Sequence, residues 1–86
     1  MNNESAKKLE SVLIRIMDEM RYLNIDSKYH GVNKAINILK NSNVSGYKNI
    51  SSCLLSDGRK LYDNRDSSER LDFLFDQAYE LSDKMS

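Results

Sequence analysis

Eighty-six residues with thirteen basic and thirteen acidic side chains, no proline and 40% apolar residues describe one small globular domain of balanced charge. Zero net charge argues against a dedicated nucleic-acid binder, which has to neutralise many phosphates. No window approaches the roughly 20 consecutive apolar residues of a bilayer span, and the polar start Met1-Asn2-Asn3-Glu4-Ser5 lacks the order of a secretory signal, so a cytoplasmic protein is expected.

A core this size is marginal, which favours locally built structure, and the apolar residues recur at helical spacing. Leu9, Val12, Leu13, Ile16, Met17, Met20 and Leu23 form one stripe and predict a first helix over about 4–24, capped by Asn2, Asn3 or Ser5 and ended at Asn24-Ile25-Asp26. Asp26 suits the N-cap of a second helix over 27–41, because its carboxylate can accept from free amides and meets the positive end of the helix dipole. Tyr29, Val32, Ile36 and Leu39 would be its buried stripe. His30 has no second histidine and no nearby cysteine to complete a metal site, and is read as an exposed helix residue.

Asn41-Ser42-Asn43-Val44-Ser45-Gly46 is rich in turn-forming residues and reads as a loop. The third helix is expected over 46–62, with Tyr47, Ile50, Leu54, Leu61 and Tyr62 on one face. Asp57-Gly58 either permits close packing inside a continuous or slightly broken helix or splits the segment by a turn, and the absence of a period-two pattern favours the helix. Cys53, beside Leu54 and Leu55, reads as a buried inert thiol, since no base is near to generate the thiolate. A polar connector follows, in which Asp66 and Glu69 have the spacing of a capping box ahead of Leu71, Leu74, Phe75, Ala78, Leu81 and Met85. This predicts a fourth helix over 67–84. One all-α domain spanning 1–86, an antiparallel four-helix bundle, is the expected architecture.

No Ser-His-acid set, glycine-rich phosphate loop or metal-ligand spacing is present, so a non-enzymatic binding protein without cofactor is expected. On the fourth helix, Phe73 is an apolar residue that the stripe does not absorb. Turning the fourth helix by about 100° per residue places it opposite the core with Asp76, Gln77, Glu80 and Lys84. An aromatic ringed by charges is the composition of a protein-binding anchor, and an isolated surface aromatic is the alternative. Ile14 and Tyr22 also fall off the first stripe. Basic residues outnumber acidic ones by eight to five over residues 1–48, and the ratio inverts over 49–86, so the chain has a mild charge polarity.

Ala6-Lys7-Lys8-Leu9 at the start of the first helix, Asp26-Ser27-Lys28-Tyr29 leading to Ile38-Leu39-Lys40, Ile50 and Leu54 in the third helix and Leu71, Leu74 and Ala78 in the last give the sequence its likeness to a known family. Over roughly residues 5–82 it resembles the enterocin A-type immunity proteins, which protect producers of pediocin-like (class IIa) bacteriocins. The resemblance implies a cytosolic antiparallel four-helix bundle whose C-terminal half selects the bacteriocin. It also implies a protein partner, the bacteriocin-bound mannose-transporter receptor, with at most peripheral membrane association. Carried to this sequence, it points to the 63–66 connector and the outer face of the last helix, with Arg65, Arg70, Phe73, Asp76, Glu80 and Lys84 as candidate partner-binding residues.

Two rival readings remain open. Tyr62-Asp63-Asn64-Arg65-Asp66-Ser67 resembles the segment before the last helix of the DNase-colicin immunity proteins, which implies a small inhibitor. Those proteins are strongly acidic and carry a proline that is missing here. A phage- or plasmid-borne regulator is the other; its only candidate DNA-reading helix, with Lys28, Lys34 and Lys40, is sparsely basic.

Overall fold

The computed structural model describes residues 3–41 and 44–85. Four α-helices carry the fold, α1 (Asn3–Tyr22), α2 (Gly31–Lys40), α3 (Ile50–Asp63) and α4 (Glu69–Met85), with 3-10 turns at Asp26–Lys28 and Val44–Asn49 and no strand among the described residues. The molecule measures 36 × 19 × 19 Å. α1 packs on α2 and α4, α3 packs on the other side of both, and the second 3-10 turn closes against α2, α3 and α4.

The stripes read from the sequence meet in one core. Leu9, Leu13, Ile16 and Met20 of α1, Val32 and Ala35 of α2, Ile50 and Leu54 of α3 and Leu71 and Ala78 of α4 are fully buried. Apolar area removed from water contributes roughly 25 cal/mol per Å², so these residues supply most of the favourable term in folding. Gly58 lies within an uninterrupted α3. A Cβ there would collide with the Tyr79 hydroxyl, which donates to the Leu54 carbonyl at 3.5 Å. Gly58 is therefore a packing glycine, and no turn divides the segment.

The boundaries differ from expectation at both polar connections. α1 stops at Tyr22 because Asn24 adopts a left-handed conformation (φ 61°). The Ile25 amide then donates to the Met20 carbonyl and the Asn24 amide to the Arg21 carbonyl, the paired bonds of a Schellman cap. Ile25, not Leu23, completes the buried stripe; Leu23 is 37% exposed. Asp26 opens a 3-10 turn and does not cap α2, which begins at Gly31 with His30 at the N-cap and no side-chain cap bond from it. His30 is exposed, as expected, although it precedes the helix.

α2 is capped from across the molecule. Asp57 on α3 is 4% exposed and its carboxylate accepts the Val32 amide at 2.8 Å. Gly31 makes this approach possible, since a Cβ there would run into the Cys53 carbonyl and the Asp57 carboxylate. Cys53 itself is half-buried against the core.

At the other helix start, Asp66 is not the cap either. Ser68 Oγ accepts the Leu71 amide at 3.2 Å, and Ser67 Oγ donates to the Asp72 carboxylate. Tyr62 belongs to no buried face: it is 80% exposed, because Leu61, about 100° earlier on the helix, takes the core side. Val44 to Gly46 wind into the 3-10 turn rather than a loop, whereas Ser42, Asn43, Asn2 and the side chains of Asn3 and Met85 lie outside the described residues. Ser5 lies inside α1, which already includes Asn3.

Candidate protein-binding surface

α4 presents its apolar side, Leu71, Leu74, Phe75 and Ala78, to the core, which turns Phe73 outward at 62% exposure. By helical geometry Gln77, Glu80 and Lys84 share that outward strip, with Arg70 and Asp76 on either flank. The six expected partner-binding residues therefore do not form one compact patch. They divide between the strip, its two flanks and the turn before the helix.

Arg70 leans toward α1 and pairs with Glu19 at 3.4 Å. Glu80 and Lys84 line an open groove between α4 and α1, together with Lys8 and Arg15 from α1 and with Val12 and Leu81 at its apolar base. Asp76 faces the opposite way. It lines a second groove with Asp72, Gly58 and Tyr79 between α4 and α3. Burial, and then the Asp76 carboxylate, push the Tyr79 hydroxyl above the usual tyrosine range. The two flanks of α4 thus differ in sign, with cations on the α1 side and carboxylates on the α3 side.

Arg65 lies exposed in the turn, in a left-handed conformation (φ 57°) that closes α3 as Asn24 closes α1. Its amide donates to the Tyr62 carbonyl and the Asp66 amide to the Leu61 carbonyl. What holds this turn is Tyr29, a nearly fully buried residue whose hydroxyl donates to Asp66 Oδ2 at 2.8 Å and accepts from Asn64 Nδ2 at 3.3 Å. Lys28 reaches the same carboxylate oxygen at 3.4 Å. Lys60 donates to the Lys28 carbonyl at 3.0 Å and lies 5.9 Å from the centre of the Tyr29 ring. The hydrogen bond from Tyr29 and the Lys28 ammonium hold the Asp66 carboxyl below its ordinary value, while burial raises the Tyr29 phenol.

Sequence reasoning assigned Asp66 to the local cap and so missed this network, since nothing in a linear reading pairs residue 29 with residue 66. It also missed Lys8 and Arg15. Their signal was present as polar residues at helical spacing on the flank of the α1 stripe, but only the packing of α4 beside them turns that flank into a groove wall.

Among the described residues no cluster of His, Cys, Asp and Glu could hold a metal ion, and no helix is long and apolar enough to cross a membrane. Compared with protein-family models, curated proteins and solved structures, the chain matches none.

Proposed function

We propose that this protein is a non-enzymatic cytoplasmic immunity protein of the enterocin A type, an antiparallel four-helix bundle that protects its cell by binding a pediocin-like bacteriocin on its membrane receptor. The observation that carries the proposal is Phe73, a large aromatic 62% exposed on α4 and flanked by Arg70 and Asp76. The core has no use for it, and exposed aromatics beside charges are the residues that dominate interface energies. The alternating helix directions are supported by contacts at opposite ends: Arg70 in the first turn of α4 pairs with Glu19 near the end of α1, and Ser51 at the start of α3 meets Ser82 near the end of α4 at 3.1 Å.

The test is protection in a sensitive Gram-positive strain expressing the protein, challenged with a panel of pediocin-like bacteriocins. Resistance to one or a few members is expected. Phe73→Ala should weaken it, with a loss of about 2 kcal/mol in partner binding if Phe73 is an anchor, and should change folding stability by no more than about 0.5 kcal/mol because the side chain is exposed. No protection against any member would remove the immunity reading.

A further inference from the structure

The groove between α1 and α4 has a chemistry of its own. Its base is apolar, formed by Val12 and the partly buried Leu81. Lys8, Arg15 and Lys84 stand around it, all exposed, against one carboxylate, Glu80. Among the described residues, the ion pairs are Arg21 with Asp18, Lys28 with Asp66 and Arg70 with Glu19, and none of them uses these three cations. Three like charges around an apolar trough repel one another and set up a positive potential there, which carboxylates from outside would relieve.

We propose that this groove docks an acidic amphipathic helix of a partner protein, with the helix's apolar side on Val12 and Leu81 and its carboxylates on Lys8, Arg15 and Lys84. The proposal rests on the reading that the outward side of α4 meets a protein, and it specifies the chemistry of that protein. From Lys8 to Arg15, and from Gln77 to Lys84, the walls run about 10 Å, close to two helical turns, which suits a helix contacting through leucines at i, i+3, i+4 and i+7. Val12 is 9% exposed and Leu81 is partly buried, so a partner has to reach between the cations to touch them, as a row of leucine side chains on a helix can. Three cations and a carboxylate are too few and too mixed to follow a nucleic-acid backbone.

The experiment is a fluorescence-anisotropy titration of the full chain with a labelled amphipathic helical peptide whose leucine stripe is bordered by glutamates, and with its twin in which lysines replace the glutamates. The glutamate peptide should bind at least about tenfold more tightly than the lysine twin, and more weakly as salt is raised. The double variant Arg15→Glu/Lys84→Glu should invert the preference. Both side chains are exposed, so unchanged circular dichroism is expected; Lys84→Gln alone, with a smaller loss, is the second variant should the double one misfold.

Failure of the glutamate peptide to bind, equal binding of the twins, or a preference untouched by charge reversal would each overturn the proposal. So would binding of phosphatidylglycerol vesicles in place of the peptide, or self-association of the chain abolished by the same reversals. Peptide binding without cellular protection would keep the groove and remove the immunity reading, and protection without peptide binding would do the opposite.

Discussion

The turn from α1 to α2 and the turn from α3 to α4 leave their helices in the same way and enter the next ones differently. Both exits are Schellman caps around a left-handed residue, Asn24 in one and Arg65 in the other. Beyond the first, Ile25 drops into the core, and α2 then starts on a carboxylate borrowed from α3, twenty-five residues away in sequence. Beyond the second, Asp66 turns to Tyr29 of the first connection, and α4 starts on its own Ser68. The difference teaches that helix starts with the same backbone need can be satisfied locally or across the molecule. The cross-molecular solution links the first turn to α3, so the two connections are parts of one polar assembly.

That comparison breaks most severely at Gly31. Gly31→Ala would force α2 away from the Cys53 carbonyl, a backbone atom that cannot turn aside, and a loss of about 3 kcal/mol is expected from chemical denaturation. Asp57→Ala should follow at about 2 kcal/mol, because it leaves the Val32 amide unpaired in a buried place and removes a carboxylate from the positive end of α2. By contrast Ser68→Ala, which removes a cap in a more solvent-accessible setting, is expected to cost about 1 kcal/mol.

Tyr29→Phe removes the link between the turns and should cost about 1 kcal/mol at neutral pH, the net value of a hydrogen bond. It should also alter the pH dependence of stability. The folded Asp66 carboxyl lies below its ordinary value, so its contribution is present above the unfolded value of about 3.8 and is lost as pH falls through the folded one. The folded Tyr29 phenol lies above its ordinary value, so its contribution is intact below pH 10.0 and is lost as pH rises from there through the folded value. Urea titrations across both windows should show a flatter profile for Tyr29→Phe than for the parent; identical profiles would mean the assembly does not act as described.

The smallest effects test the two exits against each other. Arg65→Gly should stabilise by roughly 0.5–1 kcal/mol, since a left-handed conformation costs a residue with a Cβ more than glycine. Asn24→Gly should gain only a few tenths, because asparagine already tolerates that region. Equal gains at the two positions would show that side-chain contacts, not backbone strain, set the energy of these turns.

Much of this architecture was legible in the order of residues. The stripes through Leu9, Leu13, Ile16 and Met20 and through Leu71, Leu74 and Ala78 name the buried faces of α1 and α4 correctly, because helical period is a local property. Phe73 could be placed outside by the same geometry. The helix starts could not be placed. Asp26 and Asp66 are good caps by type, but each competes with a better-positioned group elsewhere: Asp57 reaches α2 from another helix, and Ser68 stands nearer the start of α4. Leu23 and Tyr62 both fit an apolar stripe and are nonetheless exposed, Leu23 because α1 stops one residue before it and Tyr62 because Leu61 takes the core side of α3.

The order of residues was enough to show that the chain is helical, which stripes α1 and α4 turn to the core and that an aromatic would be left over on the last helix, since all three follow from a period of about 3.6 residues. The tertiary structure decided which polar residues meet. It joined Tyr29 to Asp66, seated Asp57 under α2 and set Lys8 and Arg15 across from Lys84, because such contacts depend on how rigid helices lie against one another and leave no periodic trace along the chain.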